Sequence, residues 1–212
     1  MRSGKRVPII GLCGRSGSGK TTVCKAFEAF GIRSVDTDAV YRELISPTPD
    51  GEPSELVRNI ADCFGDGVMA ADGSLDRRAL AEAVFGEGKS ENLALLNSLT
   101  HGPILARTEE IAAEYIADGA TAVIVDAPAL FESGFDKKCD AILCVTAPDD
   151  ILAGRIIARD GITEDAARKR LSSQIPEAEL VSRSDFVIVN DGICDLSEAA
   201  AETAQRIFAV ND

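Results

Sequence analysis

Several features that would direct this chain elsewhere are missing from it. The six cysteines (Cys13, Cys24, Cys63, Cys139, Cys144 and Cys194) form no CxxC pair. Scattered thiols of this kind suit a reduced, cytoplasmic chain rather than a disulfide framework. No apolar run is long enough to span a bilayer, so no membrane association is expected. The basic start, Met1 to Val7, leads only into Pro8–Cys13 before a Gly-rich turn. That run is too short for a secretory leader, and none is expected. Cations are in the minority: 22 Lys and Arg against 35 Asp and Glu give a formal net charge of -13. Such a chain has no overall positive field with which to displace counterions from a nucleic acid, so none is expected as a partner. By the same argument, any site for a phosphorylated substrate must be locally basic, and the positions of the few cations become informative. Internal repeats and low-complexity segments are absent too.

What is present is the balance of a globular protein: 212 residues, 45% hydrophobic and 27% charged. This length suits one domain, or one domain carrying a mobile insertion. Five short apolar or β-branched runs stand out: Val7–Cys13, Ile32–Asp36, Ala122–Ala127, Ala141–Thr146 and Asp185–Asn190. Most are continuously apolar, as expected for strands buried on both faces of a parallel sheet. Helical patterns separate them. Val23, Ala26, Phe27 and Phe30 recur at helical spacing, Gly31 supplies a stop, and a last helix is expected over about Leu196 to Phe208. The alternation predicts a three-layer α/β fold built on a five-stranded parallel sheet. A core over about 7–45 and 120–212 would carry a helical insertion at about 46–119. That insertion opens with Pro47, Pro49, Gly51 and Pro53, and includes a helix from about Pro103 to Asp118.

Gly14-Arg15-Ser16-Gly17-Ser18-Gly19-Lys20-Thr21 fits GxxxxGK[ST], between an apolar strand and an amphipathic helix. Glycines let a backbone wrap a phosphate chain with its N–H groups pointing inward. The helix N-terminus adds partial positive charge. Lys20 can reach β- and γ-phosphates, and the Thr21 hydroxyl can ligate Mg²⁺. The second strand ends in Val35-Asp36-Thr37-Asp38. One of these acids can take a proton from an acceptor hydroxyl while the other orients a Mg²⁺-bound water; alternatively, Asp38 is the N-cap of a helix over Ala39–Leu44. Asp126 closes the third strand as a Walker-B-like acid near Mg²⁺. The densest cationic cluster is Arg155, Arg159, Arg168, Lys169 and Arg170. Arg155 and Arg159 share a helix face, Asp160-Gly161 breaks that helix, and Thr163 caps the next. The pair, at about 149–176, is expected to be a lid that brings guanidinium groups onto a transferring phosphoryl group. The alternative is a solvated charged face paired with Asp149, Asp150, Asp160 and Glu164.

Taken together, these segments resemble the dephospho-coenzyme A kinase family. The resemblance rests on Gly11 to Lys20, Val35-Asp36-Thr37-Asp38 with Arg42-Glu43-Leu44, and Leu75-Asp76-Arg77-Arg78-Ala79-Leu80 with Val84-Phe85. It continues through Leu99-Thr100-His101, Pro128-Ala129-Leu130-Phe131-Glu132, the lid from Arg155 to Arg170 and Gln174, and Asp185 to Asn190. It implies a P-loop kinase of the nucleoside-monophosphate-kinase type, with ATP and dephospho-coenzyme A as partners, Mg²⁺ as cofactor, and phosphoryl transfer to a ribose 3′-hydroxyl. It further implies Asp38 as base, with Thr21, Asp36 and Asp126 on the metal side. Gly14 to Thr22 with Arg155, Arg159 and Asn190 would hold ATP, Arg155 as a clamp on the transition state and Asn190 near the adenine. Arg78, His101, Leu130, Phe131 and Glu132 would contact the acceptor.

Three departures stand out. Gly102 separates His101 from Pro103, Ala129 stands where Leu is frequent, and Leu180 stands where a cation is usual, with Arg183 as a possible substitute. The rival readings are another small-molecule P-loop kinase, acting on a nucleoside, sugar or shikimate-like acceptor, and a nucleotide-switch ATPase. The guanine-reading Asn/Thr-Lys-x-Asp segment is missing; Lys137-Lys138-Cys139-Asp140 has only its Lys and Asp.

Overall fold

The computed structural model describes residues 6–86 and 88–210; most of the basic start, Met1 to Lys5, lies outside the described residues. In chain order the elements are β1 (Ile9–Cys13), α1 (Lys20–Phe27), β2 (Ile32–Asp36), α2 (Thr37–Leu44), α3 (Glu55–Phe64), α4 (Arg77–Val84) and α5 (Ser90–Ala117). Then follow β3 (Ala122–Asp126), β4 (Ala141–Thr146), α6 (Asp149–Asp160), α7 (Glu164–Ser172), α8 (Glu177–Ser182), β5 (Phe186–Val189) and α9 (Leu196–Val210). The strands fall on the five apolar runs. The chain divides into two compact units: one made of the residues up to Val35 and from Ala112 onward, the other Asp36–Ile111.

In the first unit the strand order is β2-β3-β1-β4-β5, and β1 pairs in parallel with both β3 and β4. Ile10 and Leu12 of β1, Ile124 of β3, and Leu143 and Val145 of β4 meet Val23 and Phe27 of α1 and Ala200, Ala204 and Ile207 of α9 in one core. Each such large side chain contributes about 1.5–3 kcal/mol through burial. Alternate residues of β1 and β4 turn to the other face of the sheet: Gly11 opposite Ile142, Cys13 opposite Cys144. The chain leaves β1 toward β2 on one side and β4 toward β5 on the other. The order therefore reverses between β1 and β4, which in an open α/β sheet is where ligands bind, beyond the strand carboxyl ends. Those ends are Cys13 and Thr146.

The second unit is helical and has its own core, with Ile45, Leu56, Val57, Ile60, Leu75, Leu80 and Val84 among its buried residues. Side-chain caps set its helix starts. Ser54 Oγ accepts from Val57 N at 3.2 Å, and Asp76 Oδ1 accepts from Arg78 N and Ala79 N at 2.9 and 3.0 Å. The helix expected from Pro103 differs from the observed one: α5 begins at Ser90 and runs through Pro103. Proline suits a first helical turn, which is why it read as a start, and inside a helix it forfeits a hydrogen bond. Packing outweighs that loss here. Leu96 and Leu99 before the proline pack on the helical core, and Thr108 and Ala112 after it are buried. Among the described residues, no helix is long and apolar enough to cross a membrane.

Candidate active site

Gly14 to Gly19 link β1 to α1, so they stand at the reversal point of the sheet. Gly14 has φ 150 and Gly19 φ 87. A Cβ at Gly14 would lie 2.4 Å from the carbonyl oxygen of Val145, and one at Gly19 would lie 2.2 Å from Asn190 Nδ2. Neither position admits a side chain, because the loop is pressed against β4 on one side and the end of β5 on the other. Ser18 N donates to Arg15 O at 3.1 Å and tightens the turn. α1 then starts at Lys20, which leaves its first backbone N–H groups free to face an anion. Lys20 Nζ folds back to donate to Gly14 O at 3.2 Å, and it lies 3.9 Å from Asp126 Oδ1 at the end of β3. Thr21 and Thr22 are exposed in the first turn.

The loop is braced by residues far away in sequence. Buried Asn190 donates through Nδ2 to Ser18 O at 2.8 Å, while its Oδ1 accepts from Arg155 Nη2 at 3.2 Å. Its backbone N–H extends the sheet ladder to Thr146 O at 2.7 Å. Arg155 Nη1 donates to Gly17 O at 3.2 Å, and Arg159 Nη2 to Ser16 Oγ at 3.4 Å. Ser16 N donates to Gln174 Oε1 at 3.0 Å. Arg15 turns away from the loop to pair with Asp149 Oδ1 at 2.6 Å and to donate to Leu171 O at 3.3 Å. α6 and α7 form a helix pair with its own small core of Leu152, Ala153, Ile156, Ala167 and Leu171. Gly161 breaks α6 with φ 65, and Thr163 caps α7, as the sequence predicted.

The cationic cluster of this pair is split. Arg155 and Arg159 reach the loop, whereas Arg168 pairs with Glu164 at 2.8 Å and Asp150 at 3.3 Å. Arg170 pairs with Asp160. Asp160 also accepts from Arg159 Nε at 2.7 Å. Hydrogen bonds from Arg159 and Arg170 hold its carboxyl down at about 2, so both pairs persist through neutral pH and are lost only as pH falls toward that value.

A cleft of about 240 Å³ opens beside the loop, lined by Cys13, Gly14, Leu130, Phe131 and Glu132 among others. The Arg183 guanidinium stacks on the Phe131 ring, 3.6 Å from its centroid, while Leu180 is buried in the cleft wall. The apolar residue found where a cation is usual is thus accompanied by a cation from the following turn.

The helical unit carries the remaining candidates. The cap of α2 is Asp36 rather than Asp38: Asp36 Oδ1 accepts from Asp38 N at 2.9 Å and Ala39 N at 3.3 Å, and Arg42 lies 3.6 Å from its Oδ2. The helix begins two residues earlier than the sequence suggested, because Asp36 takes the extended backbone of a cap while Thr37 and Asp38 are already helical. Asp38 is exposed in the first turn. Arg78 is exposed and pairs with Glu82 at 3.2 Å. His101 lies well inside α5, not beside a helix start.

Mg²⁺ prefers oxygen ligands and keeps waters and substrate phosphates in its shell, needing only one or two protein ligands. Within the first unit the Thr21 hydroxyl, at the start of α1, and the Asp126 carboxylate, beside Lys20, are donors of that kind. Among the described residues no cluster of three or more His, Cys, Asp or Glu could hold a metal without such a substrate. The residues present fit a Mg²⁺ carried in with a nucleotide.

Sequence comparison decides between the kinase families that share such a loop. The family model for dephospho-CoA kinase matches residues 8–195. This chain belongs to the dephospho-CoA kinase family. A dephospho-CoA kinase from Corynebacterium efficiens is 36% identical over 193 residues, covering 91% of this chain and 93% of that protein. The one from Corynebacterium jeikeium is 39% identical over 183 residues, covering 86% and 90%. Among solved structures, a Thermus thermophilus protein superimposes with a TM-score of 0.76 at 28% identity, covering 95% of this chain and 98% of its own. The dephospho-CoA kinase of Campylobacter jejuni shares the fold at a TM-score of 0.59 and 21% identity, covering 94% and 97%.

Sequence reasoning offered Asp149 only as a partner for the cations of the helix pair and gave Gln174 no contact, whereas the two anchor the loop through Arg15 and Ser16. Gln174 stood within the family-like segments, but no local pattern pointed it at Ser16. For Asn190, which the family resemblance put near the adenine, the structure adds a second role, its amide linking the loop to Arg155.

Proposed function

We propose that the chain transfers the γ-phosphoryl group of ATP to the 3′-hydroxyl of dephospho-coenzyme A, giving coenzyme A and ADP. The observation that carries this reading is the shared wall: Gly14 belongs both to the phosphate-binding loop and to the cleft of Leu130, Phe131 and Glu132. A donor phosphate in the loop and an acceptor in the cleft would therefore meet at one place, as in-line transfer requires. The backbone N–H groups of the loop other than those of Ser16 and Ser18, with those at the start of α1, would cradle the phosphates, and Thr21 and Thr22 lie in that first turn. Lys20 would exchange its neutral carbonyl partner for phosphate oxygens. Arg155 and Arg159 now rest on Gly17 O and Ser16 Oγ. Charge-assisted bonds to phosphate are about twice as strong as neutral ones, so ATP would draw both guanidinium groups onto the transferring phosphoryl.

Asp38 is proposed as the base. It is exposed, its cap position is already filled by Asp36, and it matches the second Asp of the family-like acidic pair. Thr21, Asp36 and Asp126 would provide oxygens toward Mg²⁺, which supplies charge neutralisation on the phosphates. Arg78, His101, Leu130, Phe131 and Glu132 would contact the acceptor. A cytoplasmic location goes with this reading, supported by the six free thiols.

The test is a transfer assay with dephospho-coenzyme A, adenosine, shikimate and gluconate, with the phosphorylated position read by phosphorus NMR. The expected result is transfer to dephospho-coenzyme A at the ribose 3′ position alone. Preferred transfer to another acceptor would move the chain to a different small-molecule kinase activity. ATP hydrolysis that no acceptor stimulates would favour a nucleotide switch.

A further inference from the structure

Arg15 belongs to the phosphate-binding loop by sequence, and the family resemblance sets it among the residues that would hold ATP. The structure gives its side chain other partners. Only 11% of that side chain is exposed. Nη1 donates to Asp149 Oδ1 at 2.6 Å, at the first residue of α6, and Nη2 donates to Leu171 O at 3.3 Å, in the last turn of α7. Nε is buried and carries no hydrogen bond among the described residues. One guanidinium thus spans the start of one helix and the end of the next. The last carbonyls of a helix lack partners within it and favour a nearby cation. A planar fork of donors reaches two acceptors that a single point charge would not hold together.

α6 and α7 share a small core of their own, and Gly161 turns the chain between them. The turn is the far end of the pair, and Asp149 and Leu171 are its two feet. Besides Arg15, three residues of the pair and of the segment after it touch the loop. Arg155 donates to Gly17 O, Arg159 donates to Ser16 Oγ, and Gln174 accepts from Ser16 N. Arg155 and Arg159 would give up these contacts on turning to phosphate. Gln174 then supplies one neutral bond, beyond the end of α7. Arg15 is the charged tie that stays, and it holds both feet.

We propose that Arg15 is a positioning residue for the reaction and not a ligand of the phosphates: it pins both feet of the α6–α7 pair to the loop, so that Arg155 and Arg159 land on the transferring phosphoryl group. A misplacement of about 1 Å can cost about a hundredfold in rate, so the helix that carries these arginines needs a fixed base. The proposal rests on the reading that Arg155 and Arg159 clamp the phosphoryl group.

The test is single-turnover transfer to dephospho-coenzyme A by the full chain, with Asp149→Ala as the main variant. The Asp149 side chain is 65% exposed, so the substitution removes the charged acceptor without opening the core, and circular dichroism checks the fold. The expected result is a rate lower by between about threefold and thirtyfold, the scale for breaking a contact that couples to a site without touching its ligand. Arg15→Ala should be slowed as well, and adding Asp149→Ala to it should cost nothing more. In a protein already carrying Arg155→Ala and Arg159→Ala, Asp149→Ala should cause no further loss, because the pin acts through those two side chains. A merely structural contact would slow both backgrounds alike, and that result overturns the proposal. So does an Asp149→Ala protein at the parental rate, which beside a slow Arg15→Ala would make Arg15 a phosphate ligand after all. A failure of the underlying reading is separate, and shows as a protein with Arg155→Ala and Arg159→Ala that transfers as fast as the parent.

Discussion

The phosphate loop and the acidic start of α2 both follow a strand and both carry candidate chemistry, yet they are held in different ways. The loop is held from afar. Asn190, Arg155, Arg159 and Gln174 all reach back to residues 16–18, and Val145 and Asn190 leave no room for a Cβ at Gly14 or Gly19. The acidic start is held locally, by Asp36 bonding the two amides that follow it and by Arg42 one turn on. The contrast teaches where a mutation should be felt. Damage to the loop should spread to nucleotide binding and stability together. Damage at Asp36 and Asp38 should differ, Asp36 being felt in the helix start and in the demand for Mg²⁺, Asp38 in the reaction alone.

The largest effect is expected at Lys20. We predict that Lys20→Ala, folded by circular dichroism, loses about three orders of magnitude in transfer, the upper end for removing one preorganised charge donor. Near wild-type turnover would break the reading of the loop as the donor site. Next comes Gly19→Ala. It forces a side chain onto a left-handed backbone and against Asn190, so thermal unfolding should show a loss of about 1–3 kcal/mol or more, with ATP affinity falling alongside. An unchanged melting temperature would mean that the Asn190 brace is loose. Asp36→Ala sharpens the other side of the comparison: loss of a cap costs about 1 kcal/mol, visible in urea unfolding, while ATP affinity titrated in the absence of Mg²⁺ stays near that of the parent. The smallest effect is expected at Arg183. Its stacking on Phe131 is worth about 0.5–2 kcal/mol, so Arg183→Ala should raise the acceptor KM between about twofold and thirtyfold and leave the ATP KM alone. An unchanged acceptor KM would remove Arg183 from the cleft.

The same difference in support governs what could be read from the sequence. Gly14 to Thr21 and the strands at Ile32–Asp36 and Ala141–Thr146 are local signals, set by residue types at fixed spacing, and the structure keeps them within a residue or two. Thr163 as the cap of α7 is local as well. The braces are not: nothing within a few residues of Asn190 or Gln174 says that each ends on a loop more than 150 positions away. Pro103 misled for a related reason, since its local rule was overridden by packing contributed from Leu96, Leu99, Thr108 and Ala112. The choice of Asp36 over Asp38 as cap turned on where β2 gives way to α2, and periodicity cannot fix that to one residue.

The most direct test is a single-turnover measurement on Asp38→Asn with saturating ATP and dephospho-coenzyme A, paired with an ATP titration of the same protein. The substitution keeps the shape and removes the charge of a residue whose carboxylate caps nothing. A general base contributes about two to four orders of magnitude, and an interaction made mainly in the transition state leaves ground-state binding alone. The account predicts a rate at least about a hundredfold lower, with an ATP dissociation constant near that of the parent enzyme. A preserved rate per folded molecule would contradict it and would leave the loop without its catalytic counterpart at Asp38.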